Sequence, residues 1–150
     1  MTTRLTRTQL LAQSVKANVV FFRFGNEETG ADPIVAVCRD EAAIETFCAV
    51  HGRAIQYPGV YWQELPLQGP DMPYRTWPNL ETLFLVTEGG IGDVVGDTNI
   101  DPVALAVFVD KAGAEVFAKA EGNPNVVVRQ VPLDSALPIP SAITGDPLLF

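Results

Sequence analysis

The segment AVCRDEAAIETF, residues 36 to 47, returns seventy positions later as AVFVDKAGAEVF, residues 106 to 117. Ala36, Val37, Asp40, Ala42, Phe47 and Gly52 all find their match at that one separation, the last at Gly122. Farther on, Pro66-Leu67 answers Pro132-Leu133 at a separation of sixty-six, and upstream Asp32-Pro33 answers Asp101-Pro102 at sixty-nine. Separations that hold within elements and slip only in loops are the signature of an internal duplication. Two units of about fifty residues are each marginal alone, so they must share one core.

Both units read in the same order. VVFFRF (19–24) and LFLV (83–86) are short β-branched and aromatic runs, which predicts strands. IVAVC (34–38) and VALAVFV (103–109) are continuous apolar runs, as in strands covered on at least one face. Asp40 and Asp110 stand at N-cap positions, Ile44, Phe47, Cys48 and His51 follow at helical spacing, and Gly52 and Gly122 stand where left-handed caps end helices. GVYWQELPL and NVVVRQVPL then supply a third strand. Thr6 and Gln9 form a capping box, with Leu5 and Leu10 placed as a staple, predicting a short helix over about 7–16. The expected class is α+β: two pseudo-symmetric ββαβ repeats in a single domain, 1–150. Repeat one spans about 17–67, a linker 68–80, repeat two about 81–135, and an extended tail 136–150.

Composition narrows the function. With 47% apolar and 19% charged residues the chain is a folded globule, and a net charge of -8 opposes direct nucleic-acid binding. No apolar run reaches membrane-spanning length, so no membrane insertion is expected. Arg4, Arg7, Lys16 and Arg23 precede the first acidic residue, Glu27, a balance shared with transit peptides. Val19 to Phe22 read instead as a core strand, and a cytoplasmic location follows. Cys38 and Cys48 are too few for a disulfide framework and are expected as buried free thiols.

Catalytic chemistry is poorly provided for. His51 is the sole histidine, and a dyad with Cys48 would sit at a helix C-terminus, where the dipole raises a thiol's pKa. In GGIGDVVGDTNID (89–101) the glycine spacing misses the dinucleotide fingerprint by one residue. Asp97, Asn99 and Asp101 begin a calcium loop, but Pro102 and Phe108 replace its glycine and bidentate glutamate. No catalytic residue, metal ligand or cofactor is expected. The binding candidates are Tyr61, Trp62, Tyr74, Arg75 and Trp77 around the linker, with Leu148, Leu149 and Phe150 in the tail. In a competing reading Trp62 fills the core, as Val128 does in the other half. Asp110, Glu64 and Arg129, near strand ends, are candidates to line a cleft between the halves.

The doubled order of strand, strand, helix, strand, with VFVDKAGAEVFAKAEG followed by NVVVRQVPL, resembles the Tic22-like and SseB-like proteins. That resemblance covers about residues 17 to 135. It implies a noncatalytic protein-binding role, chaperone-like in the Tic22-like case, and carries no functional residues over. The expected function is thus a soluble protein-binding or adaptor protein, chaperone-like or self-associating as a homo-oligomer. The alternatives are a small-ligand protein or enzyme with its site at the seam between the repeats, and an acidic decoy of a nucleic-acid-binding protein.

Overall fold

The computed structural model describes residues 5–22, 34–50, 60–88 and 103–137. The expectations placed on Asp32-Pro33, His51, Gly52, residues 89–101 and the tail beyond 137 lie outside the described residues. Helix α1 (Arg7–Gln13) leads into strands β1 (Lys16–Phe22) and β2 (Ile34–Cys38), helix α2 (Glu41–Val50) and strand β3 (Val60–Gln68). Strands β4 (Thr82–Glu88) and β5 (Val103–Phe108), helix α3 (Lys111–Glu121) and strand β6 (Val126–Pro132) follow in the same order. The class is α+β.

Local signals act as the side chains require. The Thr6–Gln9 capping box forms in both directions. Helix α1 stops at Gln13, short of residue 16, because Ser14 is extended and the Val15 N–H is taken at 2.7 Å by the Tyr74 carbonyl. Asp40 accepts from the Ala43 N–H at 2.8 Å and Asp110 from the Gly113 N–H at 3.1 Å. Gly122 ends α3 at φ 67, a left-handed conformation that glycine adopts without strain.

The strands form one six-stranded sheet in the order β2-β1-β3-β5-β4-β6. Register repeats between the halves residue by residue. β1 and β3 pair from Lys16↔Pro66 to Phe22↔Val60, and β4 and β6 from Thr82↔Pro132 to Glu88↔Val126, every partner displaced by sixty-six. β1 and β2 pair Asn18 with Cys38 and are bulged between Val20 and Phe21. β4 and β5 pair Phe84 with Phe108 and are bulged at the corresponding place, between Val86 and Thr87.

The halves meet where β3 and β5 run parallel, at Leu67↔Val107 and Gln68↔Phe108. The outer edges also meet, through a parallel bridge between Val37 and Leu133. These are the same two positions of the repeat with the halves exchanged. The sheet is therefore curled until its edges touch, and the two seams occupy equivalent places in the two halves.

This curl makes three apolar layers. Inside lie Val19, Ile34, Val37, Leu67, Leu85, Val107 and Leu133 among others, drawn from every strand or its end. Outside, Ile44 and Phe47 of α2 pack on Val20, Val35 and Cys38, and Ala114 and Phe117 of α3 pack on Val86, Ala106 and Phe108. Among the described residues no helix is long and apolar enough to cross a membrane.

Candidate functional site

The aromatic residues singled out in the sequence go to different places. Tyr61 points inward and stacks on Phe21, ring centroids 5.0 Å apart and nearly coplanar. Trp62, its neighbour on β3, faces outward and remains 37% exposed, so it does not fill the core. Its counterpart Val128 packs beneath α3. Tyr74 and Trp77 pack against the inner layer. There the Trp77 Nε1 donates to the Arg39 carbonyl at 3.0 Å, and the Tyr74 N–H donates to Ser14 Oγ at 2.8 Å. Arg75 reaches across to Gln13 Oε1 at 2.9 Å. The linker thus packs over the core rather than presenting its aromatics as one patch, and Trp62 stands apart on the outer face. Leu148, Leu149 and Phe150 lie outside the described residues.

What the structure does bring together lies at the β3–β5 seam. Just past the two paired positions, a groove of about 540 Å³ opens between α3 and the turn that follows β3. Ala112, Val116 and Ala120 form one side, at a spacing of four along the helix; Gly69, Pro70 and Met72 form the other. Phe108 and Phe117 lie between them. Val116 is 70% exposed, an apolar side chain left largely uncovered by the described residues. Gly69 is required here: a Cβ would collide with the Tyr74 hydroxyl and with Val109 Cγ2, so only glycine lets the turn pass this closely.

Polar groups are few and specific. Arg7 lines the groove and donates from Nη2 to Gln68 Oε1, which fastens α1 to the end of β3. Asp110 lines it too, with Oδ2 committed to the α3 cap and Oδ1 buried without a hydrogen-bond partner. Glu64 is on β3 opposite Asn18, and Arg129 on β6 opposite Leu85; neither joins Asp110 at the groove. Sequence reasoning missed Arg7, Gln68 and Val116. The available signal was the stripe Ala112, Val116, Ala120, a second apolar face on a helix whose Ala114, Phe117 and Ala118 already face the sheet.

No protein-family model matches this chain, and no curated protein or solved structure matches it. Its chemistry must be read from the groups themselves. Burial pushes the Cys38 thiol up to about 12, with the charges of Asp134, Cys48 and Asp40 adding to it. Burial raises Cys48 as well. Both are free thiols, and a thiol held protonated is a poor nucleophile near neutral pH. Tyr74 is raised by burial first, against an opposing hydrogen bond from the Asp71 N–H. Among the described residues no three His, Cys, Asp or Glu side chains gather to hold a metal. The groove is suited to enclosing an apolar group between one fixed guanidinium, Arg7, and one carboxylate, Asp110.

Proposed function

We propose that this is a noncatalytic binding protein, taking an apolar segment of a partner protein into the groove between α3 and the 69–72 turn. The observation that carries the reading is Val116: a β-branched residue 70% exposed, flanked along the same helix face by Ala112 and Ala120 and faced by Pro70 and Met72. An exposed apolar stripe opposite an apolar turn is the arrangement that receives a helix or a strand. Arg7 at the groove favours a segment that also carries a carboxylate. The resemblance to Tic22-like and SseB-like proteins implies the same class of role.

Selection from a displayed peptide library tests it. Peptides enriched on the wild-type protein should share apolar anchors with an acidic neighbour and lose at least about tenfold in affinity for Val116→Asp, since burying an unpaired carboxylate costs well over 1.4 kcal/mol. The substitution lies on an exposed helix face, so thermal unfolding should hardly move. Enrichment of peptides that bind Val116→Asp equally well would sink the reading.

A second reading has one observation in its favour, the volume of about 540 Å³, which falls in the range of roughly 300–1,000 Å³ typical of small-molecule sites. If no peptide is enriched while an anionic apolar dye such as anilinonaphthalene sulfonate binds the wild type and not Val116→Asp, a small apolar acid becomes the better occupant.

A further inference from the structure

Helices α2 and α3 are equivalent elements of the two repeats, and their outward faces differ in kind. In α3 the exposed face carries Ala112, Val116 and Ala120, with Lys111, Glu115 and Lys119 along one flank. In α2, seventy positions earlier, Thr46 stands in place of Val116, and the flank reads Glu41, Glu45 and Ala49. The Thr46 hydroxyl donates to the Ala42 carbonyl at 3.0 Å, so the α2 face is polar and satisfied within its own helix. The α3 face is an apolar stripe edged by charges of both signs.

Charge decides what such a stripe can meet. A net charge of -8 drives two copies of the chain apart over most of their surface. Around the groove the balance is different, because Arg7, Lys111 and Lys119 stand there with Asp110 and Glu115. Two copies can bring this face together without that repulsion.

We propose that the segment received by the groove is α3 of a second copy of this chain, packed antiparallel about a two-fold axis through Val116. The proposal rests on the reading of the groove as a protein-binding site and names its partner. In this register Val116 meets its own copy, and Ala112 meets Ala120 of the second copy at each end. Alanine at both ends lets the helices approach at the near limit of the usual spacing of about 8–10 Å. The two-fold keeps like flanks together, so Glu115 comes to lie about 3 Å along the helix axis from Lys119 of the second copy. Symmetry makes that pair twice. A parallel pairing would set Glu115 against the opposite flank, Gly113 and Phe117, and pair no charges. The antiparallel operation applied to α2 would set Glu45 against Ala49 and pair none either. Pro70 and Met72, across the groove, extend the apolar surface that the second copy covers.

Sedimentation equilibrium of charge-reversed variants tests the register. Glu115→Lys brings like charges together at two places and should weaken the dimer about tenfold, as should Lys119→Glu. The double variant restores both pairs with their signs exchanged and should return to within about twofold of the wild-type dissociation constant. Both residues are exposed, so the fold stands in every variant. A crosslink fixes the axis. In a background of Cys38→Ala and Cys48→Ala, Val116→Cys treated with oxidised glutathione should give a covalent species of twice the monomer mass. Ala112→Cys should not, because it lies about 12 Å along the axis from its own copy. A monomeric wild type, or single and double charge variants of equal dissociation constant, overturns the proposal. If a monomeric wild type still selects peptides that depend on Val116, the groove takes a foreign protein and self-pairing alone has failed. If it selects none, both readings have failed.

Discussion

The two seams occupy equivalent places and are held by different bonds. At the β3–β5 seam the Val109 N–H donates to the Gln68 carbonyl at 2.9 Å, continuing a parallel ladder. Its counterpart at the other seam, the Arg39 N–H, donates instead to the Asp134 side chain, Oδ1 at 2.8 Å. The left-handed turn at Asp134 breaks the ladder, the carboxylate takes the place of the lost carbonyl, and Oδ2 accepts from Arg39 Nε at 2.6 Å. Backbone bonds alone close one seam; at the other the Asp134 N–H still donates to the Val37 carbonyl at 2.8 Å, and a side-chain clasp replaces only the next rung. What differs is therefore not the sheet but the use made of the chain that leaves each third strand: one end becomes the linker and caps the core, the other doubles back and seals it.

The largest expected effect comes from removing the apolar contact the seams share. Leu67 is fully buried and Leu133 is 7% exposed, both in the inner layer. Truncating either to Ala should cost about 2–5 kcal/mol, through lost transfer energy and the cavity left behind. Leu67→Ala should be the worse of the two, because the strap beyond Leu133 can shift into its space while the ladder around Leu67 cannot. Urea unfolding of the pair decides this. A loss under about 1 kcal/mol for Leu133→Ala, outside the range for a buried leucine, would mean that the second seam is not a true closure.

A smaller effect isolates the clasp. Asp134→Ala strands the Arg39 N–H and should cost about 1–3 kcal/mol. Asp134→Asn should cost less, since asparagine keeps an acceptor oxygen and tolerates the left-handed conformation. Arg39→Ala should lie within about 0.5 kcal/mol of wild type, because its side chain is 40% exposed and an ion pair so exposed contributes little. If Arg39→Ala proves as costly as Asp134→Ala in chemical denaturation, charge rather than the backbone hydrogen bond holds the seam.

Much of this fold is legible in the sequence because its signals are local. Asp40, Asp110 and Gly122 mark helix ends by chemistry confined to one turn, and the slip in separation from seventy to sixty-six falls between the second and third strands, where the structure has it. The closure is not legible, because Leu67 meeting Val107 and Leu133 meeting Val37 depend on how whole halves are placed. Ala136 and Leu137 read as the start of an extended tail, since two residues, one outward and one inward, are too short a run to show a period. Tyr74 and Trp77 read as surface anchors because a turn-rich segment carries no sign that it crosses the mouth of a curled sheet. The groove was hidden for a related reason: its two sides, the 69–72 turn and the outer stripe of α3, are far apart in the chain and each is unremarkable alone.

The smallest expected effect compares the helix caps that begin the two equivalent helices. Asp40 is exposed and accepts from Ala43 at 2.8 Å; Asp110 is half-buried, accepts from Gly113 at 3.1 Å, and leaves Oδ1 buried and unpartnered. Removing an N-cap carboxylate costs about 1 kcal/mol in general. At Asp110 part of that loss is offset, because the substitution also removes a buried oxygen that has no donor. Asp40→Ala should therefore destabilise more than Asp110→Ala, although Asp110 is the more buried of the two. The glycine at position 113 belongs to the same difference: a Cβ there would lie 2.8 Å from Asp110 Oδ1 and 3.0 Å from the Phe108 ring, whereas Ala43 occupies the corresponding place in α2. Gly113→Ala should thus fail to yield the gain of about 1 kcal/mol that alanine brings to a helix, and should come nearer to it once Asp110→Ala has removed the closer of the two contacts. Thermal melts of the two single variants and the double variant measure that coupling, and simple additivity would show that the tight carboxylate is not what keeps glycine at 113.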